Sequence, residues 1–182
     1  MRIKRLCYPI RVLGPGERLG IWVTGCKRNC PGCMTPELQD PKAGQEMDCD
    51  QILAAAKKIP GPVDGVTISG GEPFDQPQQL NRLVTLLHAE LTEDILVYTG
   101  YTLEQLRQRN CPDTDGVLDQ IAVLIDGAYV EELDDGVGLR GSSNQKIHAF
   151  RQPERYAYME HCKRELQVFN YNNAATLMVG LL

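Results

Sequence analysis

The sequence lacks a long apolar run, and with it any sign of a membrane span. Its longest apolar stretch, over residues 174–182, is about nine residues, whereas a membrane-spanning helix needs about 20. Arg2, Lys4 and Arg5 make the N-terminus basic, but the residues after them, 7–11, do not form the apolar core of a signal peptide. We therefore expect a cytoplasmic protein without a membrane partner.

The sequence also lacks an excess of positive charge. Its 182 residues include 24 Asp and Glu against 19 Lys and Arg, so the formal net charge is −5. A nucleic-acid-binding surface needs a dense basic stripe, and this composition argues against that class of partner. Repeats, low-complexity segments and linkers are absent too, and the length suffices for one sizeable core. We expect a single domain over residues 1–182.

What the sequence does have is cysteine. Seven is an odd number, so complete pairing within the chain is impossible. Cys26, Cys30 and Cys33 lie within eight positions, and in a cytosolic protein this spacing favours metal or redox chemistry over disulfides. The others are expected to be small, partly buried side chains. These scattered cysteines are Cys7, Cys49, Cys111 and Cys162.

Short apolar runs predict buried strands, and helical patterns alternate with them. The expected strands are residues 19–24, 65–69, 95–99, 121–126 and 176–179, with a further short one within 3–8. The expected helices are residues 48–59, 76–91, 102–109 and 153–166. This alternation implies parallel β-α units. About five to six mostly parallel strands are too few for a closed barrel of eight, so the predicted fold class is α/β, a partial (open) β/α barrel.

The three clustered cysteines follow Gly25, at the end of the first long predicted strand, where α/β folds place ligand chemistry. A C-x3-C-x2-C loop can surround a cubane so that three irons each take one thiolate and the fourth stays open. Lys27 and Arg28 would favour the thiolate form. The alternative is a structural zinc site completed by a distant residue. His148 and His161 are available, although neither has the paired spacing of a zinc finger.

A second motif, TISGGEPF at Thr67–Phe74, ends the second predicted strand. Gly70 and Gly71 would let the backbone approach a ligand closely, and Glu72 adds a carboxylate. Two glycines at a strand end are a weak signal alone, since turns use them constantly. A formal G-x-G-x-x-G match at Gly136–Gly141 is rejected as a dinucleotide site, because it does not directly follow a strand.

Together, the cysteine spacing and the GGEP motif, each at a strand end, resemble the radical S-adenosylmethionine (SAM) superfamily. Within it, four segments are similar to the activating enzymes of anaerobic ribonucleoside-triphosphate reductases, which are glycyl-radical enzyme activases. These segments are GIWVTGCKRNCPGC (Gly20–Cys33), DGVTISGGEPFDQ (Asp64–Gln76), VYTGYTLEQL (Val97–Leu106) and RGSSNQ (Arg140–Gln145). They recur in the order that the family has.

The resemblance implies a [4Fe–4S] cluster whose open iron binds the amino and carboxylate groups of SAM and whose electron cleaves SAM reductively. The implied cluster ligands, catalytic through the cluster, are Cys26, Cys30 and Cys33. The residues implied to border the methionine amino group are Gly70, Gly71 and Glu72. Those implied to contact other polar groups of SAM are Thr99, Gly100 and Asp126.

The resemblance also implies a partner: a glycyl-radical enzyme, most directly the large subunit of an anaerobic ribonucleotide reductase. A flavodoxin- or ferredoxin-type protein would supply the electron. A chain with little beyond a minimal partial barrel would leave the radical site open to a protein substrate. Two alternatives stay open. One is a radical-SAM enzyme acting on another glycyl-radical enzyme, a peptide or a purine-like small molecule, and the other is a non-catalytic zinc or iron–sulfur binding module.

Overall fold

A computed structural model describes residues 1–171 and 175–181 of the chain. The strands are β1 (Arg2–Ile10), β2 (Arg18–Val23), β3 (Gln45–Glu46), β4 (Gly65–Gly70), β5 (Ile95–Tyr98), β6 (Val123–Asp126), β7 (Lys146–Ala149), β8 (Leu166–Tyr171) and β9 (Ala175–Gly180). The α-helices are α1 (Cys49–Lys57), α2 (Pro77–Glu90), α3 (Leu103–Gln108), α4 (Pro112–Gln120) and α5 (Pro153–Tyr156). None of these helices is long and apolar enough to cross a membrane.

Seven of the strands form one sheet, in the order β3-β1-β2-β4-β5-β6-β7. The four central strands, β2, β4, β5 and β6, are parallel, and the strands that flank them pair antiparallel. In the described residues β3 and β7 are opposite edges, so the sheet does not close. The expected open β/α barrel is confirmed.

Side chains alternate between the two faces of the central strands, as the pleat requires. Ile21, Ile68 and Val97 point to the face that α1, α2 and α4 cover, and they belong to the largest apolar core. Trp22 and Tyr98, one residue along from two of them, lie on the opposite, concave face. The helices therefore cover one face, and the other face is left for a cavity.

A buried cation occupies the amino-terminal end of the parallel strands. Arg18 is fully buried, and its Nη2 lies 3.0 Å from Oδ1 of Asp94. The same guanidinium donates to the backbone oxygen of Val66 at 2.8 Å and to Oγ1 of Thr67 at 2.7 Å. Its charge is thus paired and hydrogen-bonded, as a buried charge must be to be tolerated. The sequence analysis did not single out either partner of this pair.

Two helix starts follow local sequence closely. Asp48 and Gln51 form a capping box at the start of α1, and Thr102 and Gln105 form another at α3. α4 was missed by the sequence analysis, because a glycine and three aspartates weaken its helical pattern. The glycine, Gly116, allows close contact with Asn81 on α2, since a Cβ there would lie 2.7 Å from the Asn81 side chain. Tertiary packing therefore supports α4.

The prediction for the C-terminal part was wrong in two respects. The helix expected over residues 153–166 is only α5, Pro153–Tyr156, followed by a 3₁₀ turn at Ala157–Glu160. The strand expected at 176–179 exists within β9 but does not join the main sheet. It pairs antiparallel with β8 in a separate two-stranded sheet, here called the C-terminal hairpin. β7 and β8 were not expected.

Candidate cluster and cofactor site

One cavity of about 490 Å³ lies on the concave face, at the carboxyl ends of β2, β4 and β5. This volume falls in the range of about 300–1,000 Å³ that small-molecule sites occupy. The cavity wall includes eight of the nine residues singled out from the sequence. They are Cys26, Cys30, Cys33, Gly70, Gly71, Glu72, Thr99 and Gly100.

The three cysteines lie on the loop after β2, and all three are free and partly exposed. Backbone contacts anchor the start of this loop: the N–H of Gly25 donates to the oxygen of Leu38 at 2.8 Å, and that of Cys26 donates to the oxygen of Gln39 at 3.0 Å. The loop then turns back on itself, where the N–H of Cys33 donates to the oxygen of Cys30 at 3.3 Å. Partial burial raises the pKa of the Cys26 thiol.

Three thiols along one wall would suit a cubane, in which each of three irons takes one thiolate. Across residues 1–171 and 175–181, no three His, Cys, Asp or Glu side chains converge on a point, as a single metal ion would require. His148, one candidate fourth ligand for zinc, has its Nε2 2.9 Å from Oδ2 of Asp126 in a different cavity. The residues present therefore fit a cluster with one iron that has no protein ligand.

The double glycine has a structural cause that the sequence analysis missed. A Cβ on Gly70, whose φ is +113°, would lie 2.4 Å from the backbone oxygen of Val23. A Cβ on Gly71 would lie 2.5 Å from the backbone oxygen of Gly25. Real Cβ contacts are never this short, so only glycine lets the two loops pack backbone against backbone. The motif was expected to admit a ligand, and here it also brings the GGEP loop against the base of the cysteine loop.

Arg28 connects the cysteine loop to the loop after β5. Its side chain fills the space beside Gly100, where a Cβ would lie 2.4 Å from Cδ of Arg28. Its guanidinium carbon lies 4.7 Å from the ring centre of Tyr101, on which Arg109 also packs, at 3.8 Å. The Tyr101 hydroxyl in turn donates to Oδ1 of Asp75 at 2.8 Å. These cation–π contacts and the hydrogen bond join the three motif loops around the cavity.

Glu72 is the polar centre of this arrangement and is only 1% exposed. Its Oε1 accepts hydrogen bonds from the N–H of Phe74 at 2.9 Å and from Oγ1 of Thr99 at 2.8 Å. Its Oε2 accepts one from the N–H of Gly100 at 2.8 Å. Burial raises the pKa of Glu72 to about 7, although the hydrogen bonds act in the opposite direction. The carboxylate thus ties the GGEP loop to the loop after β5.

This pKa makes stability depend on pH. Between the ordinary carboxyl value of 4.5 and about 7, the folded cluster-free protein keeps the Glu72 proton that the unfolded chain releases. The contribution of Glu72 to the free energy of unfolding is therefore greatest below pH 4.5, falls as pH rises to about 7, and is level above. The total fall is about 3 kcal/mol.

Urea titrations at several pH values check this expectation. Glu72→Gln keeps the shape of the side chain without the titration, so the stability difference between wild type and variant should change by about 3 kcal/mol across that window. Parallel curves for the two proteins would mean that Glu72 titrates like an exposed carboxyl.

Asp126 does not line the cavity that contains the cysteines. It is buried beside a second cavity, not the one with the cysteines. Its Oδ2 accepts from the N–H of Leu103 at 2.6 Å and lies 2.9 Å from Nε2 of His148. Its Oδ1 accepts from the N–H of Lys146 at 3.3 Å. The carboxylate therefore fixes the start of α3 against β7, and the expected contact with SAM has no support from its position.

The cavity also has walls that the sequence analysis did not assign to it. Trp22 of β2 and Tyr98 of β5 line the cavity. The C-terminal hairpin adds apolar side chains to the wall. They are Leu166, Leu177, Met178 and Val179. No local pattern distinguishes these residues from ordinary strand residues, so only the packing of the hairpin identifies them.

An open, largely parallel α/β sheet with three cysteines and a GGE loop at its strand ends defines an iron–sulfur domain of the radical-SAM type. Residues 12–148 match the model of the family described as "4Fe-4S single cluster domain". The chain belongs to the family of anaerobic ribonucleoside-triphosphate reductase-activating proteins. It is a radical-SAM enzyme, and its cofactors are a [4Fe–4S] cluster and SAM.

Three relatives, each called "Anaerobic ribonucleoside-triphosphate reductase-activating protein", illustrate the similarity. The protein of Salmonella typhimurium is 37% identical over 154 residues, which cover 79% of this chain and 96% of the relative. The Escherichia coli K12 protein is 36% identical over 153 residues, with the same shares. The protein of enterobacteria phage T4 is 31% identical over 140 residues, 75% of this chain and 86% of the relative.

Proposed function

We propose that this chain activates an anaerobic ribonucleoside-triphosphate reductase by generating a glycyl radical on it. The observation that carries the proposal is that three free thiols and the GGE loop line one open cavity, in a chain whose relatives are named for this activity. The bound cluster and SAM supply one-electron chemistry: reductive cleavage of SAM and removal of a hydrogen atom from the glycine Cα.

Within the site, we propose that Cys26, Cys30 and Cys33 hold the cluster. Gly70, Gly71, Glu72, Thr99 and Gly100 would surround SAM, and Asp126 is not part of this set because it lies beside the other cavity.

The chain's own residues position the cofactors and limit water. Glu72 ties the GGEP loop to the loop after β5 through the hydrogen bonds that it accepts from Thr99 and Gly100. Arg28 places a positive charge on the cavity wall, and its buried Nε has no hydrogen-bond partner among the described residues. That charge suits the carboxylate of SAM. Trp22 and Leu177 supply an apolar wall that excludes water from the reacting atoms.

Three further features belong to the proposal. A flavodoxin- or ferredoxin-type protein is the electron donor. The activase itself acts in the cytoplasm, and none of its described helices could span a membrane. All 182 residues form one domain. Packing supports this last point, because Phe169, Leu177 and Val179 of the hairpin share an apolar cluster with Ile10 and Leu13 near the start of the chain.

The test is anaerobic reconstitution followed by reaction with dithionite, SAM and the reductase. We expect 5′-deoxyadenosine, and a glycyl-radical signal in the EPR spectrum of the reductase. A reductase whose radical-bearing glycine is replaced by alanine is the matched control and should give no such signal. If 5′-deoxyadenosine forms while the reductase shows no radical, the enzyme acts on another substrate. A colourless protein with one zinc would support the binding-module alternative.

A further inference from the structure

The C-terminal hairpin lies outside the residues that match the family domain, 12–148. Its inner face is anchored: Phe169, Leu177 and Val179 pack with Ile10 and Leu13. Side chains alternate along β8 and β9, so the neighbouring positions lie on the opposite face of the hairpin. The hairpin is therefore attached on one face, and the described side chains of its other face, here called the free face, are largely exposed.

That free face is apolar. Leu166 is 46% exposed, Val168 54% and Met178 62%, and Val168 and Met178 are direct cross-strand partners. Large apolar side chains at such exposure, grouped on one strand pair, are typical of an interaction site. Isolated exposed residues would need no such explanation, but these three are neighbours.

The free face is continuous with the mouth of the cavity. Leu166 and Met178 line the cavity that contains the three cysteines. Met34, which follows Cys33 directly and is 37% exposed, lines the same cavity from the cysteine loop. We call Met34, Leu166, Val168 and Met178 the apolar lip. The described residues include four other large hydrophobic side chains with comparable exposure, and none of those lines the cavity. They are Leu133, Val137, Phe150 and Tyr158.

We propose that the apolar lip is the docking surface for the reductase and binds an apolar stretch next to its radical-bearing glycine. This inference rests on the proposed function, which requires a glycine within a protein to reach the cavity. A protein that inserts a segment into the cavity must contact the rim, and the lip is the apolar part of that rim. A small-molecule substrate would be enclosed by the cavity and would leave Val168 in water. A second copy of this chain on the lip would block the mouth.

Val168 provides the sharpest test, because it belongs to the lip but does not line the cavity. Val168→Glu places a charge where the proposed interface is dry, and burying an unpaired charge opposes binding. We expect the reductase concentration for half-maximal glycyl-radical formation to rise about tenfold or more, in line with the loss of an interface hot spot. The dissociation constant for the reductase, measured by calorimetry, should rise equally.

Formation of 5′-deoxyadenosine without the reductase should stay unchanged in Val168→Glu. Val137→Glu is the matched control: the same substitution at an exposed valine away from the cavity, expected to leave both reductase measurements unaltered. Val168→Ser keeps the test valid if the glutamate variant folds poorly, with a smaller loss in the same direction.

Unchanged affinity in both Val168 variants would overturn the docking proposal. So would a wild-type protein that does not bind the reductase, or a wild-type dimer that Val168→Glu converts to monomer. A wild-type protein that binds the reductase through the lip without producing a radical would instead overturn the proposed function and leave the docking surface standing. The two failures are therefore distinguishable.

Discussion

Replacing Cys30 with alanine is expected to abolish 5′-deoxyadenosine formation and to remove most of the bound iron. Cys30 lines the cavity and is only partly buried, so its side chain contributes little to the core. The hydrogen bond that this residue makes within the loop uses its backbone oxygen, which alanine keeps. The fold should therefore survive, whereas a bound cubane would lose one of the three protein thiolates that would hold it in the cavity.

The measurements for this variant are iron content per chain, the EPR signal of the reduced protein with and without SAM, and 5′-deoxyadenosine after dithionite reduction. Cys111→Ala is the control, because Cys111 precedes α4 and does not line the cavity. It should keep iron and activity. Full activity in Cys30→Ala would remove the cysteine loop from the mechanism.

Replacing Asp94 with alanine should lower the free energy of unfolding by several kcal/mol, because it removes the partner of a buried charge. The fully buried Arg18 would keep its backbone acceptors but lose the carboxylate 3.0 Å away. An uncompensated charge in the interior costs about 3–5 kcal/mol. For a chain of this size that corresponds to a fall of about 10 °C in melting temperature.

Thermal unfolding followed by circular dichroism measures this effect. Asp50→Ala breaks an ion pair with Arg82 at 3.3 Å, in which both side chains are more than half exposed. This matched control should cost at most about 1 kcal/mol, since exposed pairs contribute little. If the two variants lost equal unfolding free energy, water would have to reach Arg18, and its pairing with Asp94 would not be a buried one.

Most of the site could be predicted because its motifs are local in sequence. Cys26, Cys30, Cys33 and the GGE loop each follow a buried strand directly, and strand ends in a parallel sheet meet at one edge. Asp126 also ends a strand, but its side chain lies on the other face of the sheet, which strand position alone does not reveal. Ile125 faces the concave side, so Asp126 points to the helix side and meets α3.

The sequence by itself determined the class of chemistry, the central parallel strands and the starts of α1 and α3, because thiol spacing, apolar runs and capping boxes act over a few residues. Only the tertiary structure decided that β9 pairs with β8 beside the cavity, and that Arg18 is buried against Asp94. An apolar strand pattern is the same whichever strand becomes its partner. An arginine 76 residues from its carboxylate looks like a solvated charge until folding brings the two together and excludes water.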